Sequence, residues 1–223
     1  MHTLFNVETR RGEYNPLTSD LPPTSPSEKQ NIPTGVSVKY APDPSKRWFV
    51  LRVAYNRVNQ ANDFLQKKNI DTYLPMHFVW KKIKGKKKRI PEPLLPSFLF
   101  AYASQDALDS CMKASPALSY YYDHFKILPG GKNPPLTVAY QEMMNFIRLT
   151  SVDNEHICVV NPQQCHYKDG DLVQVIKGDF EGVVGIVARV IGQQRVVIKL
   201  DGICLVATAY VPSSFIEKIS SSE

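Results

Sequence analysis

The sequence has no apolar run approaching the 18 residues a membrane-crossing helix needs, so no such span is expected. Cysteine is sparse. Cys111, Cys158, Cys165 and Cys204 are scattered without the spacing of a disulfide framework, and a reducing, cytoplasmic setting suits them. The first residues lack the charged-then-apolar order of a secretory signal, so export is not expected. No Ser-His-Asp set, nucleophile elbow or paired-carboxylate motif occurs, so no enzyme is expected. Gly130-Gly131-Lys132 is followed by Asn133 and lacks the earlier glycine of a phosphate-binding loop, so it reads as a turn. His156, Cys158, Cys165 and His166 fit no standard zinc spacing. No metal and no cofactor are therefore expected, and a monomer is anticipated.

What the chain does have is concentrated positive charge. Its 223 residues suffice for one large domain or two small ones, and 43% are hydrophobic, as in ordinary folded proteins. Lys81, Lys82, Lys84, Lys86, Lys87, Lys88 and Arg89 place seven cations in nine positions, more than the whole-chain net of +6. Charges packed so closely repel one another, so the segment is predicted to project into water and bend at Gly85. An anionic partner such as nucleic acid is favoured. Prolines 91, 93 and 96 then hold an extended chain that delivers the apolar strand 98–102.

Taken in order, residues 1–45 alternate prolines with Ser, Thr, Asn and charged residues and read as a disordered tail. Trp48-Phe49-Val50-Leu51-Arg52-Val53 reads as a buried strand. Val58, Ala61, Phe64, Leu65 and Lys68 then fall on one helical face, with Asn56 as N-cap. A strand is predicted over 71–75, continuing to Trp80. After strand 98–102, Ser104 is predicted to cap a helix whose apolar face is Leu108, Cys111 and Met112. Residues 120–122 form a strand candidate. A third helix is predicted over 138–150, with Tyr140, Met143, Met144 and Ile147 at i, i+3, i+4 and i+7. The order β-α-β-β-α-β-α points to an α+β fold, an antiparallel sheet with helices on one face, spanning 46–150. Residues 151–166 read as a linker. Beyond them, 167–219 offer short β-rich runs at 172–176, 183–191, 195–200 and 204–211, with Asp201-Gly202 as a hairpin signal and Phe215 and Ile216 closing the sheet. That is the pattern of a small all-β barrel.

The second of these regions carries a motif. Gly170-Asp171-Leu172-Val173-Gln174-Val175-Ile176-Lys177-Gly178-Asp179-Phe180-Glu181-Gly182-Val183-Val184-Gly185-Ile186-Val187 is similar to the KOW motif of the NusG family of transcription elongation factors. Val173 and Val175 alternate into a core, Gly178, Gly182 and Gly185 permit turns and close approach, and Phe180 plugs the barrel. The first region resembles the family's N-terminal (NGN) domain: Trp48-Phe49-Val50-Leu51 matches its opening strand. Pro93-Leu94-Leu95-Pro96-Ser97-Phe98-Leu99-Phe100 matches its Phe-Pro-Gly-Tyr-type strand, with Ser97 in place of the usual glycine. Tyr73-Leu74-Pro75 and the run from Glu92 to Phe100 stand nearer the specialised RfaH-like and UpxY-like antiterminators than the housekeeping factor.

The resemblance implies an NGN-type sheet followed by an SH3-like KOW barrel, and a factor that binds the clamp helices of RNA polymerase and suppresses pausing and termination. UpxY-like members act on capsular polysaccharide operons. By motif, the polymerase-binding pocket falls on Leu95, Pro96, Phe98 and Phe100, with Tyr55 after the first strand. The basic hairpin would lie on upstream or non-template DNA, where Lys86, Lys87, Lys88 and Arg89 touch phosphates and Trp80 or Tyr73 offers a stacking face. Where RfaH-like proteins carry His-Thr-Thr, this chain has Leu108-Asp109-Ser110, so the gate-loop contact does not carry over. The glycine-rich, β-branched barrel sequence opposes a helical refolding. Two other readings remain open: a general NusG-type factor, and a KOW-type adaptor coupling transcription to a ribosomal protein or a termination factor.

Overall fold

The alternation at Trp48-Phe49-Val50-Leu51 decides the architecture, because a strand sends successive side chains to opposite faces and here both sets are apolar. In the structure, a computed structural model that describes residues 38–54 and 56–219, β1 (Arg47–Val53) is accordingly buried on both faces. It is followed by α1 (Val58–Lys67), β2 (Asp71–Tyr73), β3 (Met76–Ile83), β4 (Lys86–Pro93), β5 (Phe98–Ala103), α2 (Gln105–Ala114), β6 (Leu118–Tyr120), β7 (Thr137–Val138) and α3 (Tyr140–Thr150). The first sheet runs β2-β5-β1-β6, with β7 also paired to β1, and its pairings are antiparallel. Strands β3 and β4 form a separate two-stranded ribbon.

Register assigns the faces. Trp48 opposite Tyr102, Val50 opposite Phe100 and Arg52 opposite Phe98 share one face; Phe49 opposite Ala101 and Leu51 opposite Leu99 share the other. The second face packs on α1 through Val58, Ala61 and Leu65 and on α2 through Leu108 and Cys111. The first face packs on α3, where the Phe100 and Phe146 ring centroids lie 5.4 Å apart. Helices therefore cover both faces of this sheet, against the expectation of one. The reason is visible on α3, which buries Met143, Met144, Phe146, Ile147, Leu149 and Thr150, far more than one stripe. A helix apolar most of the way round is sandwiched.

The other side of α3 meets a second sheet, built from β8 (Cys158–Val160), β9 (Cys165–Val175), β10 (Val184–Val190), β11 (Gln193–Leu200), β12 (Cys204–Ala207) and β13 (Ile216–Lys218), in the order β13-β9-β10-β11-β12-β8. The first strand, β8, lies within 151–166, the stretch that the sequence suggested as a linker. One continuous apolar cluster joins Trp48 and Phe100, through Met144 and Phe146, to Val173, Val175, Val196 and Val206.

Two local differences have simple causes. Asn56 does not cap α1: it sits at φ +57, and Arg57 is the capping position without a side-chain bond. Within the expected tail, residues 38–45 pack. Val38–Tyr40 makes a 3-10 turn and Tyr40 is buried, donating its hydroxyl to Thr72 O at 2.7 Å and lying 5.1 Å from the Trp48 ring. One aromatic anchor offsets the ordering cost of a short polar strap. The rest of that tail lies outside the described residues.

Candidate functional site

The apolar candidates lie where the chain enters β5. Leu94 N donates to Pro75 O at 2.8 Å and Phe98 N to Leu95 O at 3.1 Å, which closes a turn with Pro96 at its exposed corner. Leu94 and Leu95 are buried beneath it. Phe98 is half-buried and stands edge-on to Tyr121, centroids 5.2 Å apart. Phe100 has no exposure at all. The structure thus splits the sequence candidates: Phe100 and Leu95 are core, while Pro96 and Phe98 reach solvent. Tyr55 lies outside the described residues. Tyr121 belongs with Phe98 and was missed, because within Tyr120-Tyr121-Tyr122 only the sheet register decides which ring faces which way.

The second sheet comes close to this corner. Leu136 N donates to Tyr121 O at 2.7 Å, and its carbonyl accepts from Val50 N at 3.1 Å. A methyl group placed on Gly202, in the turn between β11 and β12, would lie 3.6 Å from Leu136 Cδ2. The joint is held by polar groups of α3. Asn145 reads the backbone of residue 184 at two points: its amide donates to Val184 O, and Val184 N donates back to Asn145 Oδ1 at 2.8 Å. Arg148 Nη1 donates to Gly182 O, and burial holds the guanidinium below its usual pKa. Gly182 sits at φ +81, which favours glycine, and a Cβ there would fall 2.6 Å from Arg148 Nη1 and displace the guanidinium from its bond.

The KOW-like residues fall around this joint. Gly170, Val173 and Val175 lie in β9, the two valines buried; Phe180 is buried; Gly178 takes φ +86; and Gly185 passes so close to β11 that a Cβ would meet Val197 O at 2.6 Å. Of the scattered cysteines and histidines, Cys158 faces the buried Arg195, whose Nη1 lies 3.7 Å from the sulfur, and Cys165 is buried in β9.

The cationic ribbon is a true hairpin. Its turn is Lys84-Gly85 at φ +48 and +80, the two-residue geometry that matches strand twist. Lys81 stands opposite Lys88 and Lys82 opposite Lys87, so like charges face each other directly, an arrangement that destabilises a hairpin. At its base the charges are occupied. Lys81 pairs with Glu92, and Arg89 pairs with Asp153 while lying 4.1 Å over the Phe78 ring. Trp80 Nε1 donates to Glu155 Oε2 at 3.1 Å, leaving the indole 60% exposed. Lys82, Lys84, Lys86, Lys87 and Lys88 are exposed and have no carboxylate partner among the described residues. Between the hairpin base and the end of α3 lies a cavity of about 320 Å³ lined by Tyr73, His77, Phe78, Thr150, Asp153 and Ile157 among others. Tyr73 is not free to serve as a stacking face there: burial raises its pKa and its hydroxyl bonds Thr150 Oγ1 at 2.5 Å.

Comparison with known proteins bears on the first sheet. Residues 46–147 match the family described as transcription termination factor nusG, so this segment is similar to that family's domain. No curated protein matches the chain. Two solved structures are similar at low identity. "Domain interaction in Thermotoga maritima NusG" aligns at 19% identity and a TM-score of 0.42, over 78% of this chain and 98% of that one. "Crystal Structure of MjSpt4:Spt5 complex conformation B" aligns at 16% identity and a TM-score of 0.25, over 79% of this chain and 99% of that one.

Proposed function

We propose, from the similarity of residues 46–147 to the NusG family's domain, that this chain is a transcription elongation factor that binds RNA polymerase through its first sheet. The observation that carries the reading is that the match spans β1 through most of α3 and so includes the exposed Pro96-Phe98 corner. Phe98, braced by Tyr121 and packed against the buried cluster that includes Phe100, is an aromatic anchor on a rigid strand, the kind of group that dominates protein interfaces. Leu95 and Phe100 act from behind, by fixing the corner.

The ribbon suits a strand of upstream or non-template DNA. Its five uncompensated lysines would take phosphates, relieving the repulsion that the hairpin carries, with the exposed Trp80 ring available for a base. The second sheet is read as a KOW-type, SH3-like barrel. The motif wording around Tyr73 and Glu92 to Phe100 supports a specialised RfaH-like or UpxY-like antiterminator on long operons such as those for capsular polysaccharide. The adaptor reading has one supporting observation of its own. Ile191, a β-branched residue, is held at φ +51 with 77% exposure at the tip between β10 and β11, a strained placement that suits contact with a further protein such as a ribosomal protein or a termination factor.

Run-off transcription through a terminator tests the function. The reading expects more read-through when the chain is added to elongation complexes, on some leaders more than others. Unchanged termination on every leader tried would refute it.

A further inference from the structure

Among the described residues, a concentration of exposed apolar side chains lies in the loop between β6 and β7. Phe125 is 89% exposed, Ile127 75%, Leu128 48% and Tyr122 44%. Such groups usually collapse onto the nearest surface, and here the loop prevents it. Asn133 Nδ2 donates to Asp123 O at 2.9 Å and to Lys126 O at 2.7 Å. Asp123 Oδ1 accepts from Phe125 N at 3.0 Å, and Leu128 N donates to Lys132 O at 2.8 Å. Gly130 and Gly131, at φ +95 and +76, supply the reversal. Polar bonds thus preorganise a loop that leaves Phe125 and Ile127 largely in solvent, and preorganisation of that kind lowers the cost of binding something else.

We infer that Phe125, Ile127 and Leu128 form a second anchor for RNA polymerase, inserting into an apolar depression with an acidic rim beside the surface that takes Phe98. This inference rests on the polymerase-binding reading above. Three observations select the occupant. The three side chains offer on the order of 400 Å², about half of the roughly 800 Å² per partner that a stable interface needs, so the loop is one part of a larger contact. It adjoins the Phe98 corner: Tyr121 stands edge-on to Phe98 at 5.2 Å and to His124, which directly precedes Phe125, at 5.9 Å. Its charged residues are Lys126, Lys132 and the largely covered Asp123, whose carboxylate lies 3.5 Å from the Lys126 ammonium, so the loop keeps a net positive charge that suits an acidic rim.

The test is equilibrium binding of the full chain to a purified RNA polymerase elongation complex. Wild type is compared with Phe125→Ser plus Ile127→Ser, with Lys126→Glu, and with Phe98→Ala. The two serines remove exposed groups only, so thermal unfolding should be unchanged, and this is measured alongside. The expectation is that the double variant weakens binding at least about tenfold, as loss of an anchor does, and that Lys126→Glu weakens it by less. If wild type binds, Phe98→Ala weakens binding and the double variant matches wild type, the loop anchor is wrong and the polymerase reading stands. If wild type does not bind, both are wrong. If the double variant instead abolishes concentration-dependent self-association in sedimentation while polymerase binding persists, the loop's occupant is a second copy of this chain and the inference is overturned.

Discussion

At the scale of single residues, Phe98 and Phe100 separate two roles that neighbouring aromatics on one strand face easily blur. Phe100 is fully buried against Phe146, so Phe100→Ala should cost about 3–5 kcal/mol, read as a lowered denaturant midpoint. Phe98→Ala should leave the midpoint within roughly 1–2 kcal/mol, because the ring is only partly buried, and should act on partner binding instead. Equal destabilisation by the two would mean that Phe98 is ordinary core. Tyr40 offers a second residue-level test. Burial, then the nearby Tyr73 and Asp71, raises its pKa to about 12. A phenol whose folded pKa is raised contributes stability that is complete below its unfolded value near 10 and is lost as pH rises toward the folded value. Stability should therefore fall between about pH 10 and 12, and Tyr40→Phe should flatten part of that fall; Tyr73, Tyr120, Tyr140 and the Cys204 thiol, raised in the same direction, add to it. Sequence alone shows that residues 98 and 100 share a face. It does not show that α3 closes over one and leaves the other at the rim.

At the scale of elements, the ribbon of β3 and β4 is the part most open to reading from sequence. Seven cations around one glycine dictate exposure and a turn, and both are found. What the sequence could not show is which cations are free. Arg89 and Lys81 are satisfied by Asp153 and Glu92, the former 64 residues away in the chain. The phosphate contacts are thus predicted to come from the tip. Replacing Lys86, Lys87 and Lys88 by Gln should lower the slope of log affinity against log salt for DNA by about 2–3, at roughly 0.7–0.9 per lost phosphate contact. Arg89→Gln should change that slope little and loosen the hairpin base. A larger slope change from Arg89→Gln than from the triple substitution would place the nucleic acid at the base. Helix α3 was legible as a helix. Its polar positions were not, because Asn145 and Arg148 bond backbone groups 39 and 34 residues further on, and backbone partners leave no residue signature.

At the scale of the whole molecule, one core spans both sheets, and α3 is the shared layer. The turn at Gly202 lies near Leu136, beside the Phe98 corner, so the two sheets are coupled to the site proposed for the polymerase. Asn145→Ala would leave Val184 N–H and C=O without their partner, at a cost of about 1–3 kcal/mol, and would loosen the joint. Faster proteolysis between residues 151 and 157 is the expected result; unchanged cleavage would show that the apolar contacts alone hold the joint. The periodicity of the sequence changes near residue 150, and the six strands of the second sheet lie beyond that point. The core shared by the two sheets was not legible, since Met143 and Met144 look the same in sequence whether one sheet or two lie against the helix.

The account turns on one surface and one partner. Its most direct test is the affinity of the full chain for a purified RNA polymerase elongation complex at low ionic strength, with and without Phe98→Ala. Saturable binding by wild type that falls at least about tenfold in a normally folded Phe98→Ala variant is the predicted result. No binding by wild type, or equal binding by both, would contradict it.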